Sequence, residues 1–341
     1  MTNILSPTER LEGALTGIFI ADALAMPVHW YYDTLALVRD YGQVTDYLPP
    51  KNPHPDSILH RSSYTPPNRS ADILHGQAKY WGKKNIHYHQ FLQPGENTLN
   101  LKLARELLLY LDEEEEYSAE KWLERLIVFL TTPGTHNDTY VEEYLREFFL
   151  NRSKGLPLSE CGRKDEKHIG GFSLMLPLLI TYARRPGDVV DLALRHLALT
   201  HGGADMHRWG RLLGLLLVDL CKGVPINTAA RAAAENSAVN LDIATLETLR
   251  DFPDNTVIGM HYSPACYVDY AVPATLYLAL KYQDDPEQGL IANTMCGGDN
   301  CGRGAVLGAL LGAVNGLRGW PSRWLDGLLH PPPQRRSTKR Q

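Results

Sequence analysis

The fold of this chain is decided by residues 293–316, which read NTMCGGDNCGRGAVLGALLGAVNG. A polar loop opens this stretch and continues directly into a predicted helix. Glycines recur along that helix at every fourth position: Gly304, Gly308, Gly312 and Gly316. The spacing places them on one helix face. Because a glycine inside a helix costs about 0.5–1 kcal/mol relative to alanine, the stripe predicts that another backbone approaches it closely.

The loop before this helix carries a double glycine followed by a carboxylate. The residues at the helix N-terminus would be Gly297, Gly298, Asp299, Asn300 and Cys301. The free N–H groups and the positive dipole end found there favour an anionic ligand or a fixed carboxylate. The alternative is a glycine-rich turn that only leads into a tightly packed core helix.

A second stripe of small residues lies near the start of the chain. Residues 6–9, SPTE, form a capping-box pattern that predicts the beginning of a helix. Gly13, Gly17 and Ala21 then follow at intervals of four. We predict that this helix packs closely against the glycine-rich helix and brings Asp22 toward its loop. The alternative is that each stripe meets a different neighbour.

Composition and charge describe an ordinary globular protein. The chain has 341 residues, 44% of them hydrophobic and 21% charged, with a formal net charge of −5. Helical periodicity recurs along it, and strand signals are scarce. We therefore predict an all-α fold with one large domain over residues 1–330 and a disordered tail over residues 331–341.

Several partners and compartments are not favoured by the sequence. No basic block outside the short tail predicts nucleic-acid binding, and no uninterrupted apolar run reaches the roughly 18 residues of a membrane span. The five cysteines are scattered and odd in number, which does not fit a secreted disulfide framework. The N-terminus lacks the pattern of a signal peptide. We expect a cytoplasmic protein that engages neither membrane nor nucleic acid.

Polar loops carry further candidate residues. Residues 41–90 form a long irregular insertion, a feature that is often functional in a compact domain. His87 and His89 alternate within it, so an extended backbone would point both imidazoles to one side. A metal pair, substrate contacts and ordinary loop hydrogen bonds all stay open for them. His136 and Gly170 lie in other loops, where they could contact a substrate or simply shape a turn.

Several segments occur in the order found in a known family. They are DALAMP at residues 22–27, PGENT at 94–98, TH at 200–201, the stretch at 293–316 and WPSRW at 320–324. The chain resembles the ADP-ribosylglycohydrolase family, which includes DraG-like hydrolases and J1-type crystallins. The resemblance implies a compact, single-domain orthogonal helical bundle. Active members bind two divalent cations, usually magnesium, which hold the ribose of an ADP-ribosyl group while water cleaves the bond at its anomeric carbon.

The metal-binding motifs of that family are altered here. Where the family has Thr-Asp-Asp-Thr, residues 95–98 read GENT, which keeps one carboxylate in Glu96 and replaces the other with Asn97. Asp299 of the C-terminal motif is kept, but its second aspartate is a cysteine. Magnesium prefers oxygen ligands, and two ions need more carboxylates than remain. The resemblance therefore implies a single divalent cation at Glu96, Asn97 and Asp299, or none.

A softer metal than magnesium would suit Cys301 and His29, because thiolate and imidazole are ligands of zinc and other transition metals. His29 stands where family members often have a glutamate.

The resemblance implies a hydrolase that cleaves an N- or O-glycosidic bond at the ribose of an ADP-ribosyl adduct or related riboside. Glu96 or Asp299 would activate water, with His29 as acid or ligand. The residues predicted to contact substrate are Asp22, Asn97, Thr98, Gly297, Gly298, Asn300, Cys301, His87, His89, His136 and Gly170. The expected partner is a small ADP-ribose-like ligand or an ADP-ribosylated protein.

Two other functions stay open. The cleft could have lost catalysis and bind an ADP-ribose-like ligand, or be structural as in the crystallin relatives. Cys301 at the helix N-terminus could instead be a reactive thiolate paired with His29 for nucleophilic chemistry. The hydrolase is favoured because the altered positions still carry polar or reactive side chains.

Overall fold

The computed structural model describes residues 5–184 and 188–333, and its regular structure there is helical. The α-helices, numbered α1 to α15 in chain order, are Pro7–Ala25, Thr34–Tyr41, Leu99–Glu113, Ala119–Thr131, Glu143–Ser153, Phe172–Tyr182, Val189–Leu197, Ala204–Cys221, Ile226–Glu235, Ile243–Thr248, Asp254–Thr256, Val268–Lys281, Pro286–Met295, Asn300–Asn315 and Ser322–Gly327. Two isolated β-bridges are the only extended pairings within these described ranges. The predicted all-α fold is confirmed.

Helices α1 and α14 pack backbone to backbone along their stripes of small residues. A Cβ atom added to Gly17 would lie 2.2 Å from the carbonyl oxygen of Gly308. One added to Gly13 would lie 2.4 Å from the carbonyl oxygen of Gly312. No side chain fits between the helices at these points. The predicted contact is confirmed, and its antiparallel direction places the end of α1 beside the start of α14.

The start of α1 has the predicted capping box. The hydroxyl of Ser6 accepts the backbone N–H of Glu9 (3.3 Å), whose carboxylate accepts the N–H of Ser6 (2.9 Å). The segment Pro7–Val28 is apolar and long enough to cross a membrane by length and composition alone. However, 78% of its most apolar window is buried inside the fold, as expected for a core helix.

Further helices enclose the pair of α1 and α14. Helix α6 is buried along its whole length and contacts both α3 and α14. Helices α12 and α13 cover another side of α14. This arrangement directs the starts of α3 and α14 and the end of α1 toward one another, and most of the candidate residues meet there.

The insertion over residues 41–90 is irregular, as predicted. Its only regular elements after α2 are short 3-10 turns at Leu59–Arg61, Arg69–Ala71 and His75–Tyr80. The predicted tail falls mainly on residues 334–341, which lie outside the described residues. The domain bounds of 1–330 therefore stay a prediction.

Candidate active site

A double glycine fixes the loop before α14. Gly297 and Gly298 have φ values of 60° and 63°, a conformation that other residues rarely adopt. The N–H of Gly298 donates to the carbonyl of Tyr31 (2.7 Å), and the N–H of Trp30 donates to the carbonyl of Gly298 (2.8 Å). This exchange of backbone hydrogen bonds holds the loop against the segment after α1, where His29 lies.

A buried arginine supports the same loop. Arg303 donates from Nη2 to the carbonyl of Gly297 (2.5 Å) and from Nη1 to that of Pro264 (2.9 Å). Its side chain is fully buried, and this burial lowers the pKa of Arg303. No sequence pattern marked Arg303, because its role depends on two carbonyl groups that only the folded loop brings to it.

Asp299 is the N-cap of α14 and is held through one of its oxygens. Its Oδ1 accepts the N–H of Gly302 (3.1 Å) and the Nε2–H of His29 (3.1 Å). No donor among the described residues reaches Oδ2, which leaves that oxygen for a ligand. Burial alone would raise the pKa of Asp299, but the hydrogen bond from His29 and the charge of Arg303 hold that pKa below its usual range.

A row of buried side chains continues from Asp299 into the protein. His29 Nδ1 lies 2.8 Å from His89 Nε2, and the two rings are coplanar within 1°. His89 Nδ1 in turn donates to Asp138 Oδ1 (2.7 Å). The other oxygen of Asp138 accepts the N–H of Leu99 at the start of α3 (3.0 Å). The structure thus joins two carboxylates through a pair of imidazoles.

The number of protons in this row defines its charge. Each of the three hydrogen bonds between the four side chains requires one proton. Hydrogen bonds from the imidazoles outweigh burial and hold the pKa values of Asp299 and Asp138 below their usual range, so the protons lie on nitrogen. One imidazole must therefore carry two. Burial lowers the pKa of His29 to about 4, so this ring stays neutral and donates to Asp299 from Nε2.

Aromatic side chains border the imidazole pair. The ring of Trp30 stacks on that of His29, with a centroid distance of 3.9 Å. Tyr88 and Tyr140 contact Trp30 edge to face, with centroid distances of 4.8 Å and 4.6 Å. Trp30 is only half-buried, so it offers apolar surface beside the buried row.

Asp22, Asn97 and Thr98 come together, but they bind one another. Asp22 Oδ2 accepts the side-chain amide of Asn97 (2.9 Å) and the N–H of Thr98 (2.8 Å). Its Oδ1 accepts the hydroxyl of Thr98 (2.7 Å). Burial raises the pKa of Asp22, and these hydrogen bonds oppose that rise. The three residues anchor the start of α3 to the end of α1.

Glu96 is not joined to Asp299 by any hydrogen bond in the described part of the chain. Its Oε1 pairs with the ammonium of Lys102 (2.7 Å), and its Oε2 accepts the N–H of Gln93 (2.9 Å). The same ammonium donates to Asn137 Oδ1 (2.8 Å). A lysine therefore neutralises the carboxylate that the sequence analysis assigned to a metal.

Most carboxylate oxygens of the predicted metal site are already engaged, whereas Oδ1 of Asn97 is buried without a hydrogen-bond partner. Both oxygens of Glu96, both of Asp22 and one of Asp299 already accept hydrogen bonds from protein groups. Across residues 5–184 and 188–333, no group of three or more His, Cys, Asp or Glu side chains could hold a metal ion. Magnesium keeps several waters but still needs one or two carboxylates that are free to bind it, and both oxygens of Glu96 are occupied by protein donors. The chemistry of this site is therefore derived from protein groups alone.

The contacts of Cys301 contradict the hypothesis that its thiolate pairs with His29. Its Sγ donates to the backbone carbonyl of Asp22, 3.6 Å away, and both nitrogens of His29 are engaged elsewhere. Burial and the nearby carboxylates of Asp22 and Asp299 raise the pKa of Cys301 well above its usual range. The thiol stays protonated, which is the opposite of what a nucleophile requires.

Other residues predicted to contact substrate have structural partners. His87 Nε2 donates to the carbonyl of Pro27 (3.0 Å), and His136 Nε2 donates to that of Ile73 (2.8 Å). The amide of Asn300 donates to two backbone carbonyls. These bonds fix loops around the site, and the predicted substrate contacts of these residues stay predictions.

Two carboxylates of the site were missed in the sequence. Neither Asp138 nor Glu142 is among the candidate site residues that the sequence predicts. Asp138 does serve a helix start, since it accepts the N–H of Leu99, but its partner His89 is 49 positions away. Glu142 faces Gly170, as described below. Neither pairing has a local sequence signal.

Comparisons with known proteins agree with this fold. A family model described as ADP-ribosylglycohydrolase matches residues 4–340. The chain belongs to the ADP-ribosylglycohydrolase family, whose members are generally hydrolases. One solved structure, named "ADP-ribosylglycohydrolase-related protein complex", has a TM-score of 0.63 over 95% of this chain and 93% of that chain, at 22% identity. At this identity the likeness shows the fold alone. A search of curated proteins returned no match.

Proposed function

We propose that this protein hydrolyses the glycosidic bond at the ribose of an ADP-ribosyl adduct or a related riboside, with Asp299 as general base. The observation that carries the proposal is the state of the Asp299 carboxylate. One oxygen is fixed by two donors, and the other receives none from the described residues. A fixed, ionised carboxylate with one free oxygen is suited to take a proton from water.

In this mechanism Asp299 Oδ2 accepts a proton from a water molecule as the water oxygen bonds to the anomeric carbon. The bond from that carbon to the nitrogen or oxygen of the leaving group breaks. His29 donates to Oδ1 throughout and orients the carboxylate. His89 and the ionised Asp138 behind it keep the ring of His29 in the required tautomer through their hydrogen bonds, much as a third residue orients an imidazole in hydrolytic triads.

The position of the carboxylate limits what can reach it. The side chain of Asp299 is only 8% exposed, which admits a water molecule more readily than a bulky group. Trp30 is half-buried against His29, and Tyr32, which lies within reach of the charge of Asp299, is 47% exposed. We assign this aromatic rim to the larger part of the ligand, because aromatic surfaces bind nucleotide-like ligands by stacking. The partner is a small ADP-ribose-like ligand or an ADP-ribosylated protein.

The experiment measures ADP-ribose released from peptides ADP-ribosylated on arginine or serine, by chromatography with mass detection. Asp299→Asn keeps the N-cap but removes the base, and we expect kcat/KM to fall about 10²–10⁴-fold. Asp285→Asn is the matched control, since Asp285 caps α13 in the same way, through the N–H of Gln288. We expect it to match wild type.

Two results would contradict the proposal: no release by the wild-type protein, or full activity in Asp299→Asn. Calorimetric binding of ADP-ribose without hydrolysis would instead support the inactive, ligand-binding alternative.

A further inference from the structure

Glu142 stands at the N-cap of α5 but does not cap it. Glutamate is not among the residues that usually cap a helix, so no local rule fixes the direction of this side chain. The side chain of Glu142 makes no capping hydrogen bond. It turns away and accepts the amide of Asn100 through Oε1 (2.5 Å). A residue 42 positions away thus positions the carboxyl group of Glu142, and its own helix does not.

A buried tyrosine fixes the donor of that hydrogen bond. The hydroxyl of Tyr144 donates to Asn100 Oδ1 (2.9 Å), so the amide NH₂ of Asn100 must face Glu142. Tyr144 is 1% exposed and cannot swing away without leaving the core. No described donor reaches Oε2 of Glu142, and the side chain is half-buried. One oxygen is positioned, and the other is available to a ligand.

A turn of small residues brings this carboxyl group into the site. A Cβ atom on Gly170 would lie 3.3 Å from both oxygens of Glu142. The neighbouring Ile169 contacts Gly302, where an added Cβ would lie 2.8 Å from the Ile169 side chain and 3.0 Å from Asp299 Oδ1. Glu142 and Asp299 therefore flank the turn Ile169–Gly171. No described hydrogen bond joins them, so each can act on a different atom of one ligand.

The pKa values of the two carboxyl groups are shifted in opposite directions by their surroundings. Burial and the negative charges of Asp299 and Glu166 raise the pKa of Glu142 to about 7, against the opposing effects of His168 and Asn100. Asp299, in contrast, has a lowered pKa because His29 donates to it. Two neighbouring carboxyl groups with opposite shifts are the arrangement that glycoside hydrolysis uses for an acid and a base.

We infer that Glu142 is a second catalytic residue, which protonates the leaving group while Asp299 deprotonates the attacking water. This inference rests on the proposed hydrolysis. The proton on Glu142 Oε2 passes to the leaving nitrogen or oxygen as its bond to the anomeric carbon breaks. The water proton passes to Asp299 Oδ2. Glu142 ends ionised and Asp299 protonated, and exchange with solvent restores both. No metal, oxidant or other co-reactant enters this balance.

The same turn explains Gly170, which was predicted only as a substrate contact. A side chain at this position would fill the space directly against Glu142. Its glycine keeps the free carboxyl oxygen accessible.

The test compares two ADP-ribosyl substrates that differ only in the leaving group. In the serine peptide the leaving group is the serine oxygen, an alkoxide that must be protonated as its bond breaks. In the 4-nitrophenyl compound the leaving group is 4-nitrophenolate, which is stable without a proton. For Glu142→Gln, which keeps the hydrogen bond to Asn100, we expect about a 10²–10⁴-fold loss of kcat on the serine peptide and less than about 5-fold on the nitrophenyl compound. The wild-type rate on the peptide should fall above about pH 7, and this limb should be absent in the variant.

Glu143→Gln is the matched control, because Glu143 is the adjacent glutamate, exposed and paired with Arg163. We expect it to match wild type on both substrates. Equal loss on both substrates in Glu142→Gln, or no loss on either, would overturn the acid role while leaving the hydrolysis intact. Failure of the wild type to cleave either compound would overturn the proposed function, and the acid role with it.

Discussion

Replacing Gly308 with alanine puts a methyl group against the backbone of α1. The added Cβ would lie 2.1 Å from the carbonyl oxygen of Gly17 and 3.1 Å from the Cβ of Ala21. Restoring an ordinary contact of 3.4 Å to that oxygen requires α1 and α14 to separate by about 1.3 Å. The two helix backbones cannot move aside for the added methyl group as a flexible side chain could.

The magnitude follows from two opposing effects. Overpacking a core costs about 1–3 kcal/mol, and a clash with rigid backbone belongs at the upper end. Alanine returns about 0.5–1 kcal/mol through its better helix propensity. The net loss of unfolding free energy is about 2 kcal/mol, or about 3 °C in the midpoint of thermal unfolding for a chain of this size.

The assay is thermal unfolding followed by far-UV circular dichroism. Gly259→Ala is the control, because an added Cβ there meets nothing within 4 Å. We expect the control to lie within about 1 °C of wild type, since surface changes are worth about 0.5 kcal/mol or less. A Gly308→Ala protein as stable as the control would refute the backbone contact between α1 and α14.

Further predictions concern the site and its surroundings. Asp138→Asn removes the charge behind His89 and should lower kcat about 10–100-fold in the ADP-ribose release assay. Lys102→Gln leaves the carboxylate of Glu96 without its cation and should reduce the urea-unfolding free energy by about 2 kcal/mol, whereas Lys121→Gln, in an exposed pair, should cost less than about 0.5 kcal/mol. The unfolding free energy should also fall as the pH drops from about 6.5 toward 4, because several buried imidazoles stay neutral in the folded protein and bind protons when it unfolds. The raised pKa of Glu142 opposes this trend, but it is one group against four imidazoles. Burial lowers the pKa to about 4 in His29, His54 and His201 and to about 3 in His196. Urea titrations at several pH values check this, and a flat profile would contradict it.

The helical framework was predictable because its signals are periodic. The two stripes of small residues predicted a close contact between helices, and the backbones meet at Gly17 and Gly308. The capping box at residues 6–9 and the N-cap role of the loop carboxylate likewise follow from local rules. These features depend on residues a few positions apart, which sequence patterns record.

The hydrogen-bonded row of the site was not predictable in the same way. His29 and His89 are 60 positions apart, and an irregular insertion brings them together. His89 was predicted as a substrate contact, but the structure buries it between His29 and Asp138. The partner of Glu96 was missed because a lysine on the first turns of a helix is ordinarily solvated, whereas Lys102 folds back onto the loop.

The resemblance to the family predicted the fold correctly, and the altered motifs left the metal site open. It implied one divalent cation at Glu96, Asn97 and Asp299, or none, and a substrate contact at Asp22. In the structure each of these carboxylates has its own protein donors. The differences at Asn97 and Cys301 already indicated a weaker metal site, and the donors explain how the negative charge is balanced instead.

The central claim is that protein groups alone activate water at Asp299. The most direct test is ADP-ribose release by wild-type protein that has been purified and assayed with a chelator present. The account predicts that the rate with chelator equals the rate with added magnesium. Release that stops with chelator and returns with magnesium would contradict it, because the cation would then supply what we assign to Asp299 and the imidazole pair.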